Sequence, residues 1–234
     1  MISNEQIIDA AVATRDPYAD SNSLEFRFRS RRFVKIRQII EDILGERGQA
    51  HILDIGGTET YWLIGRDFLR QNRSRIKITL VNTEPENVKD EMMFTALIGD
   101  GADPRLFAGS QFDLVHSNSV IEHVGSWDRM CAFAENTKRL SSRYYVQTPN
   151  YWFPYEPHFR FPGFQYLPEK VRVALIMRYS LGFFRRIDDV AEARDIIHHH
   201  QLISTRQMRE LFSDAEVSHE KVLGLNKSII AARA

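Results

Sequence analysis

The sequence predicts an α/β fold built around a mostly parallel β-sheet. Short apolar segments alternate with amphipathic helical patterns over residues 50–149, which is typical of repeated βαβ units. Two more strand-like segments follow at 216–222 and 227–232, close enough in sequence to form a hairpin. The chain has 234 residues, 43% of them apolar and 26% charged, which suits a folded domain with its own core.

Five segments make up the predicted parallel strands. Each is a short apolar run bounded by glycine, proline or polar residues, and they lie at 51–55, 75–81, 94–98, 112–116 and 144–147. The segments between them carry the periodicity of helices, at about 60–72, 85–93 and 119–140. This order predicts right-handed crossovers between neighbouring parallel strands.

The region before the first strand, residues 1–49, is predicted to be helical. Its apolar residues form two stripes, Ile7, Ile8, Ala11 and Val12, and then Phe33, Ile36, Ile40, Ile43 and Leu44. A basic run from Arg27 to Arg37 overlaps the second stripe. We interpret this run as a solvated helix face, and a bound phosphate or acidic partner is the alternative.

A long aromatic segment follows the fifth strand. Residues 150–168 hold four of the eight prolines and many aromatic side chains, which argues for an ordered loop. The aromatic residues could wall a pocket for a flat or apolar acceptor, and simple packing is the alternative. Helical patterns come next at 169–182 and 188–201, and Thr205 is a plausible N-cap for a short helix. We therefore expect one domain, 1–234, in four parts: a helical cap at 1–49, a core at 50–149, an insertion at 150–205, and a helix with a closing hairpin at 206–234.

Composition narrows the possible functions. Lysine plus arginine and aspartate plus glutamate both number 31, so the net charge is zero, and nucleic acid is not the expected partner. The single cysteine, Cys131, excludes an intrachain disulfide and a cysteine-based zinc site. No apolar stretch is long enough to span a membrane, and the N-terminus has no basic segment typical of a secretion signal. These features predict a cytoplasmic protein without a membrane span.

The residues that follow the predicted strands carry the functional signal, because ligands of open α/β sheets bind at the carboxyl ends of strands. The chain reads LDIGG at 53–57, NTE at 82–84, IGDGAD at 98–103 and FDLVHSNSVIEHV at 112–124. This succession resembles the class I S-adenosylmethionine-dependent methyltransferases. The resemblance implies a Rossmann-like methyltransferase fold, with a mostly parallel seven-stranded sheet, an antiparallel last strand and helices on both faces.

The resemblance also implies S-adenosylmethionine as cofactor and a role for each matching position. The methionine half of the cofactor would be lined by Asp54, Gly56, Gly57 and Thr58. The ribose hydroxyls would bind Glu84 or Asn82, the adenine would lie at Asp100 and Gly101, and Ser117 would lie below the sulfonium. The chain departs from the family pattern D-x-G-x-G-x-G, in which it keeps only the first glycine, as Gly56.

Two histidines are candidate catalytic residues, because methylation of a hydroxyl near neutral pH needs a general base. They are His123 in the IEHV segment and His158 in the aromatic segment, and a structural role is the alternative for both. The run His198 to His200 is a poor metal cage, since adjacent helical positions point apart, and we expect no metal site.

The expected function is methyl transfer to a hydroxyl or amine of a small molecule, such as a metabolite, a saccharide or a lipid-linked intermediate. The incomplete glycine loop favours one alternative, a catalytically inactive methyltransferase-fold module for binding or assembly. A nucleotide-dependent oxidoreductase is a third possibility, but the sequence lacks the G-x-G-x-x-G spacing of that class.

Overall fold

Seven of the strands in the computed structural model, which describes residues 24–234, form one sheet. They are β1 (Ala50–Ile55), β2 (Ile76–Asn82), β3 (Phe94–Ile98), β4 (Leu114–Asn118), β5 (Tyr144–Pro149), β8 (Glu216–Val222) and β9 (Leu225–Arg233). Their order across the sheet is β3-β2-β1-β4-β5-β9-β8. Strands β1 to β5 pair in parallel, and only β9 runs against its neighbours β5 and β8. The predicted fold class, including its antiparallel last strand, is confirmed.

The helices of the described chain lie before, between and after these strands. They are α1 (Leu24–Arg47), α2 (Glu59–Trp62), α3 (Arg66–Gln71), α4 (Trp127–Leu140), α5 (Glu169–Arg178), α6 (Val190–His198) and α7 (Thr205–Leu211). None of the helices in residues 24–234 is both long and apolar enough to cross a bilayer.

Side chains alternate along the strands and supply an apolar core to each face of the sheet. On one face, Ile52 and Ile78 pack with the buried stripe of α1, which includes Ile36 and Ile40. On the other face, residues of α4 and α7 cover strand side chains such as Leu53. The second predicted apolar stripe is therefore a sheet-packing face of α1, whereas the first, at residues 7–12, lies outside the described residues.

The aromatic insertion has a small apolar core of its own. Strands β6 (Tyr155–Glu156) and β7 (Phe161–Pro162) form a short hairpin, and a 3₁₀ turn follows at Phe164–Tyr166. The core of the insertion contains Phe159, Phe164, Val173, Ile176, Phe184, Ile187, Ala193, Ile196 and Ile197. Because all of these residues lie between 159 and 197, the insertion can hold its shape largely by itself.

Two predicted helices differ from the structure. Residues 85–93 form no helix and instead end in a turn before β3. The Asp90 carboxylate accepts from the Met92 amide at 3.2 Å, the Asp90 carbonyl accepts from the Met93 amide at 3.0 Å, and Arg73 holds the carboxylate at 2.7 Å. The helix predicted over 119–140 starts only at Trp127. Ser119 and Gly125 have φ values of 58° and 101°, which a right-handed helix excludes, and Ser126 then caps α4.

Smaller differences concern element ends. The fourth strand was predicted at 112–116 but spans Leu114–Asn118, because the Asp113 carboxylate binds the His51 amide and Arg47 at the strand's entrance. The helix predicted over 60–72 is divided into α2 and α3 by a 3₁₀ turn at Leu63–Gly65. The N-cap of α7 is Ser204 rather than Thr205, since Ser204 and Gln207 form a capping box.

Candidate functional site

A cavity of about 290 Å³ lies where the strand order reverses, between the carboxyl ends of β1 and β4. This switch point is where open α/β sheets bind ligands. The cavity is lined by Ile55, Gly56, Val81, Asn82, Thr83, Gly99, Asp100, Gly101, Ser119, Val120, His123, Val124, Arg129 and Phe133. We call it the switch-point cavity.

Two glycines shape the loop after β1. Any other residue at either position would force neighbouring atoms to move. Gly56 has a φ of 74°, and a Cβ at this position would lie 2.3 Å from Cγ2 of Val120. A Cβ on Gly57 would lie 1.8 Å from Oδ2 of Asp54. The Asn82 side chain fixes the same loop, because its amide donates to the Gly57 carbonyl at 2.9 Å.

Asp54 lies beneath this loop and not in the wall of the cavity. Its carboxylate is fully buried and accepts from the Trp62 indole at 2.8 Å. Its other oxygen lies 2.7 Å from Nδ1 of His116, which is also buried. A buried carboxylate needs such partners, so Asp54 supports the loop from below.

The loop after β3 presents a carboxylate to the cavity. Asp100 accepts from the Ala102 amide at 2.9 Å and from the Arg129 guanidinium at 2.7 Å. The neighbouring Gly101 is packed tightly, since a Cβ there would lie 2.7 Å from a side-chain carbon of Ile55. The loop therefore holds a fixed acceptor, Asp100, next to a glycine that lets the backbone pack closely against Ile55 and Phe133.

The predicted cofactor-binding residues separate into two groups. Those that line the switch-point cavity are Gly56, Asn82, Asp100 and Gly101. Those outside its wall are Asp54, Gly57, Thr58, Glu84 and Ser117. Among the second group, Thr58 caps α2 and the Ser117 hydroxyl donates to the Ile55 carbonyl at 3.0 Å, so both stabilise the turn and the sheet.

A second and larger cavity, of about 650 Å³, adjoins the first at Ser119. We call it the acceptor cavity. It is lined by Phe28, Arg29, Arg32, Ser119, Gln147, Pro149, Asn150, Phe153, Tyr155, Pro157, His158, Arg160, Phe183, Lys227 and Ser228. It therefore brings together α1, the end of β5, the aromatic insertion and the last hairpin.

The wall of the acceptor cavity is basic and aromatic. Arg32 donates to the side chains of Asn118 and Gln147 at 2.5 and 2.6 Å and pairs with Glu220 at 3.4 Å. Lys227 lies 4.0 Å from the centroid of the Phe28 ring. Four cationic side chains line the cavity, and Glu220 behind the wall pairs with two of them, Arg32 at 3.4 Å and Lys227 at 3.5 Å. The cationic groups still outnumber this carboxylate, which favours an anion in the cavity.

A cluster of ionisable groups lies at the junction of the two cavities. His123 lines the switch-point cavity, His158 lines the acceptor cavity, and their rings are 4.7 Å apart. The ring of His200 lies 4.7 Å from that of His123 and 4.9 Å from that of His158. The carboxylate of Glu122 is buried beside them and accepts from Thr148 at 2.8 Å. The structure thus brings both predicted catalytic histidines together.

Burial controls protonation in this cluster. It raises the pKa of Glu122 to about 7 and lowers the pKa of His123 to about 3. It also lowers the pKa of His200 to about 4. Burial opposes the charged form of His158 as well, but a 2.7 Å contact with Glu156 outweighs this effect and raises the His158 pKa. Burial therefore disfavours the charged forms of Glu122, His123 and His200, whereas Glu156 favours the charged form of His158.

Sequence reasoning missed several residues of the site. Ser119, which joins the two cavities, has the unusual φ of 58°, and no local motif indicates this backbone conformation. Glu122 was part of the IEHV segment but was given no role. Arg32 was placed on a solvated face, yet it is nearly buried and reaches both β4 and β5. In the sequence, only the position of Arg32 at the end of the apolar stripe of α1 could have indicated that its side chain is nearly buried.

No protein-family model matches the chain. Two uncharacterized proteins from Mycobacterium tuberculosis, one from strain CDC 1551 / Oshkosh and one from strain H37Rv, are 37% identical to it over 79 residues. The matched segment covers 34% of this chain, and the chain spans only 26% of the length of these curated relatives.

Three solved structures show a remote likeness. The N-methyltransferase NodS of Bradyrhizobium japonicum, in complex with S-adenosylhomocysteine, has a TM-score of 0.49 at 9% identity, over 94% of this chain and 92% of that one. The magnesium protoporphyrin IX methyltransferase of Synechocystis has a TM-score of 0.45 at 12% identity, with the same coverages. An O-methyltransferase family protein of Burkholderia thailandensis has a TM-score of 0.45 at 15% identity, over 92% of this chain and 64% of that one. The fold assignment above depends on the strand order and pairing of this chain.

Proposed function

We propose that the protein transfers a methyl group from S-adenosylmethionine to a small-molecule acceptor. The observation that carries the proposal is the arrangement of the two cavities, which meet at Ser119 over the switch point of the sheet. One cavity has the position of a cofactor site at the switch point, and the other, of about 650 Å³, has room for a second reactant. A transferase needs this arrangement, because its two reactants must meet in line at one point.

The switch-point cavity fits an adenosine-containing ligand. Its polar groups include the Asp100 carboxylate, while Val124 and Phe133 provide apolar surface for a flat ring. Gly56 lets the loop after β1 pass directly against Val120, where any side chain would collide. The methyl group of the cofactor is already activated by its sulfonium, so the protein has to bind and orient. The residues outside the wall, such as Asp54, Gly57, Thr58 and Ser117, would act by holding these loops.

The acceptor cavity supports a small molecule that carries an anionic group. Arg29, Arg32, Arg160 and Lys227 line it together with aromatic rings, and this combination suits a carboxylate or phosphate attached to an apolar or ring-shaped body. A hydroxyl or amine of that molecule would be the methylated group. Metabolites, sugar phosphates and lipid-linked intermediates all meet these requirements.

His123 and His158 are the residues that we propose to act on the acceptor. They stand at the junction of the cavities, since His123 lines one cavity and His158 lines the other. Glu156 fixes the His158 ring through the contact at Nδ1, which leaves Nε2 as the nitrogen that can exchange a proton with an acceptor. A hydroxyl acceptor must lose its proton during transfer, and this cluster contains the groups that can direct it.

Calorimetric titration with S-adenosylhomocysteine, beside NAD as a control ligand, tests the cofactor assignment. Micromolar binding of S-adenosylhomocysteine alone would support the proposal. Tighter binding of NAD would indicate the oxidoreductase alternative. Failure of a folded sample to bind either ligand would overturn the proposal in favour of a non-catalytic binding module.

A further inference from the structure

We infer that Glu122, His123 and His158 form a binding site for a divalent transition-metal ion. Each of the three residues offers one ligand atom, and these atoms all lie within 4.8 Å of one another. Glu122 and His123 come from the turn after β4, whereas His158 comes from the aromatic insertion. Two imidazoles and one carboxylate are a ligand set that suits zinc, cobalt, manganese and ferrous iron.

The hydrogen bonds of the histidines leave the correct nitrogen for a metal. Nδ1 of His123 lies 3.3 Å from the His199 carbonyl, and because a carbonyl only accepts, this nitrogen carries the proton. Nδ1 of His158 likewise faces the Glu156 carboxylate at 2.7 Å. In both rings Nε2 then presents a lone pair to the cluster. A carboxylate behind a histidine ring is a recurrent second layer of metal sites, since it orients the ring and raises its basicity.

The carboxylate of Glu122 is an independent observation that points to a cation. Its side chain is fully buried, and while one oxygen accepts from Thr148, Oε1 has no hydrogen-bond partner within residues 24–234. An unpaired buried carboxylate oxygen is costly to maintain. A metal ion held with His123 and His158 would coordinate this oxygen and remove that cost.

The position of the site indicates an open coordination sphere. Three protein ligands leave at least one place for another oxygen, as in catalytic rather than structural metal sites. His158 faces the acceptor cavity and His123 faces the switch-point cavity, so this place lies where the two reactants would meet. An acceptor hydroxyl bound there would lose its proton more easily. This last step alone depends on the proposed function, and in the metal-bound protein the ion would activate the hydroxyl in place of His123 and His158. Metal binding itself does not depend on the proposed function.

The test is a titration of the chelator-treated full-length protein with Co(II), followed by visible absorption. We expect one equivalent to bind, with a spectrum typical of nitrogen and oxygen ligands at low coordination number. Zn(II) should displace the cobalt. Glu122→Gln and His158→Gln should each weaken binding about tenfold or more. Glu156→Gln, which alters the carboxylate behind His158 and its bond to the Phe159 amide, should weaken binding roughly 10- to 100-fold.

His198→Ala is the matched control, because it removes an exposed histidine from the adjacent histidine run and should leave Co(II) affinity unchanged. Circular dichroism of each variant identifies any that fails to fold, and His123→Gln then replaces it. The inference is overturned if folded protein binds no stoichiometric Co(II), or if His198→Ala abolishes binding that Glu122→Gln retains. The titration contains no S-adenosylhomocysteine, so its outcome is separate from the test of the cofactor.

Discussion

The switch-point cavity and the aromatic insertion position their functional groups in different ways. In the switch-point cavity the backbone conformation sets the positions of these groups, because Gly56 and Gly101 place the chain where a side chain would collide with its neighbours. In the insertion, side-chain contacts set the positions of the functional groups. Glu156 orients His158, and an apolar core between residues 159 and 197 supports both. Groups positioned by the backbone depend on single glycines, while groups positioned by packing depend on the stability of the whole insertion.

The largest expected effect tests whether the insertion is an independent unit. Ile176 is fully buried in the core of the insertion, and Ile176→Ala should cost that core about 2–5 kcal/mol through lost contacts and a cavity. We expect faster amide hydrogen exchange in residues 159–197, with binding of S-adenosylhomocysteine retained. Ile40→Ala is the matched control, since Ile40 is equally buried against the sheet and its loss should lower the melting temperature of the whole domain. Equal loosening of both regions by Ile176→Ala would show that they unfold as one.

The next prediction tests whether the backbone conformation at Gly56 determines ligand binding in the switch-point cavity. Gly56→Ala forces a left-handed backbone and a collision with Val120, which together should weaken S-adenosylhomocysteine binding by about 2–4 kcal/mol. Gly109→Ala provides the control, because Gly109 has a similar φ of 79° but no atom within 4 Å of the added carbon. Calorimetry of both variants separates the collision from the backbone strain. Equal losses would mean that the shape of the loop at Val120 does not matter.

The same contrast explains how much could be predicted from the sequence. The strands, their order of appearance and Gly56, Asn82, Asp100 and Gly101 were recognisable, because each follows directly from a local motif at the end of a strand. Family resemblance placed Ser117 at the floor of the site, but its hydroxyl bonds to Ile55 within the sheet. Two residues later, Ser119 lines both cavities and has a positive φ. The sequence gives little indication of the backbone angle of one such residue.

The proposed metal ligands illustrate a second limit of sequence reasoning. The expectation of no metal considered the adjacent histidines 198–200, which cannot converge on one ion. The ligand set proposed above joins residues 122 and 123 to residue 158, and α4, β5 and β6 lie between them in the chain. Such a set depends on how the insertion folds back over the sheet, and periodicity alone does not specify that path.

A smaller effect distinguishes Asp100 from its neighbours. If its carboxylate binds the adenine amino group, Asp100→Ala should weaken S-adenosylhomocysteine binding by roughly 1–3 kcal/mol, the cost of leaving a donor unpaired. Asp103→Ala is the control, because Asp103 pairs with the exposed Arg105 outside the cavity. Unchanged affinity in Asp100→Ala would remove Asp100 from the cofactor site and leave it the role of holding Arg129.

The smallest effect concerns the basic run of α1, which approaches the acceptor cavity on one side and solvent on the other. Lys35 lines neither cavity, and its 3.0 Å ion pair with Glu216 is exposed, with 37% and 75% of the two side chains accessible. Exposed pairs contribute about 0–1 kcal/mol, so Lys35→Ala should change the free energy of unfolding by no more than that in urea denaturation. A larger loss of unfolding free energy would mean that the basic residues of α1 act as one network with Arg32. Lys35 would then belong with the residues of the cavity wall and not with the exposed face of α1.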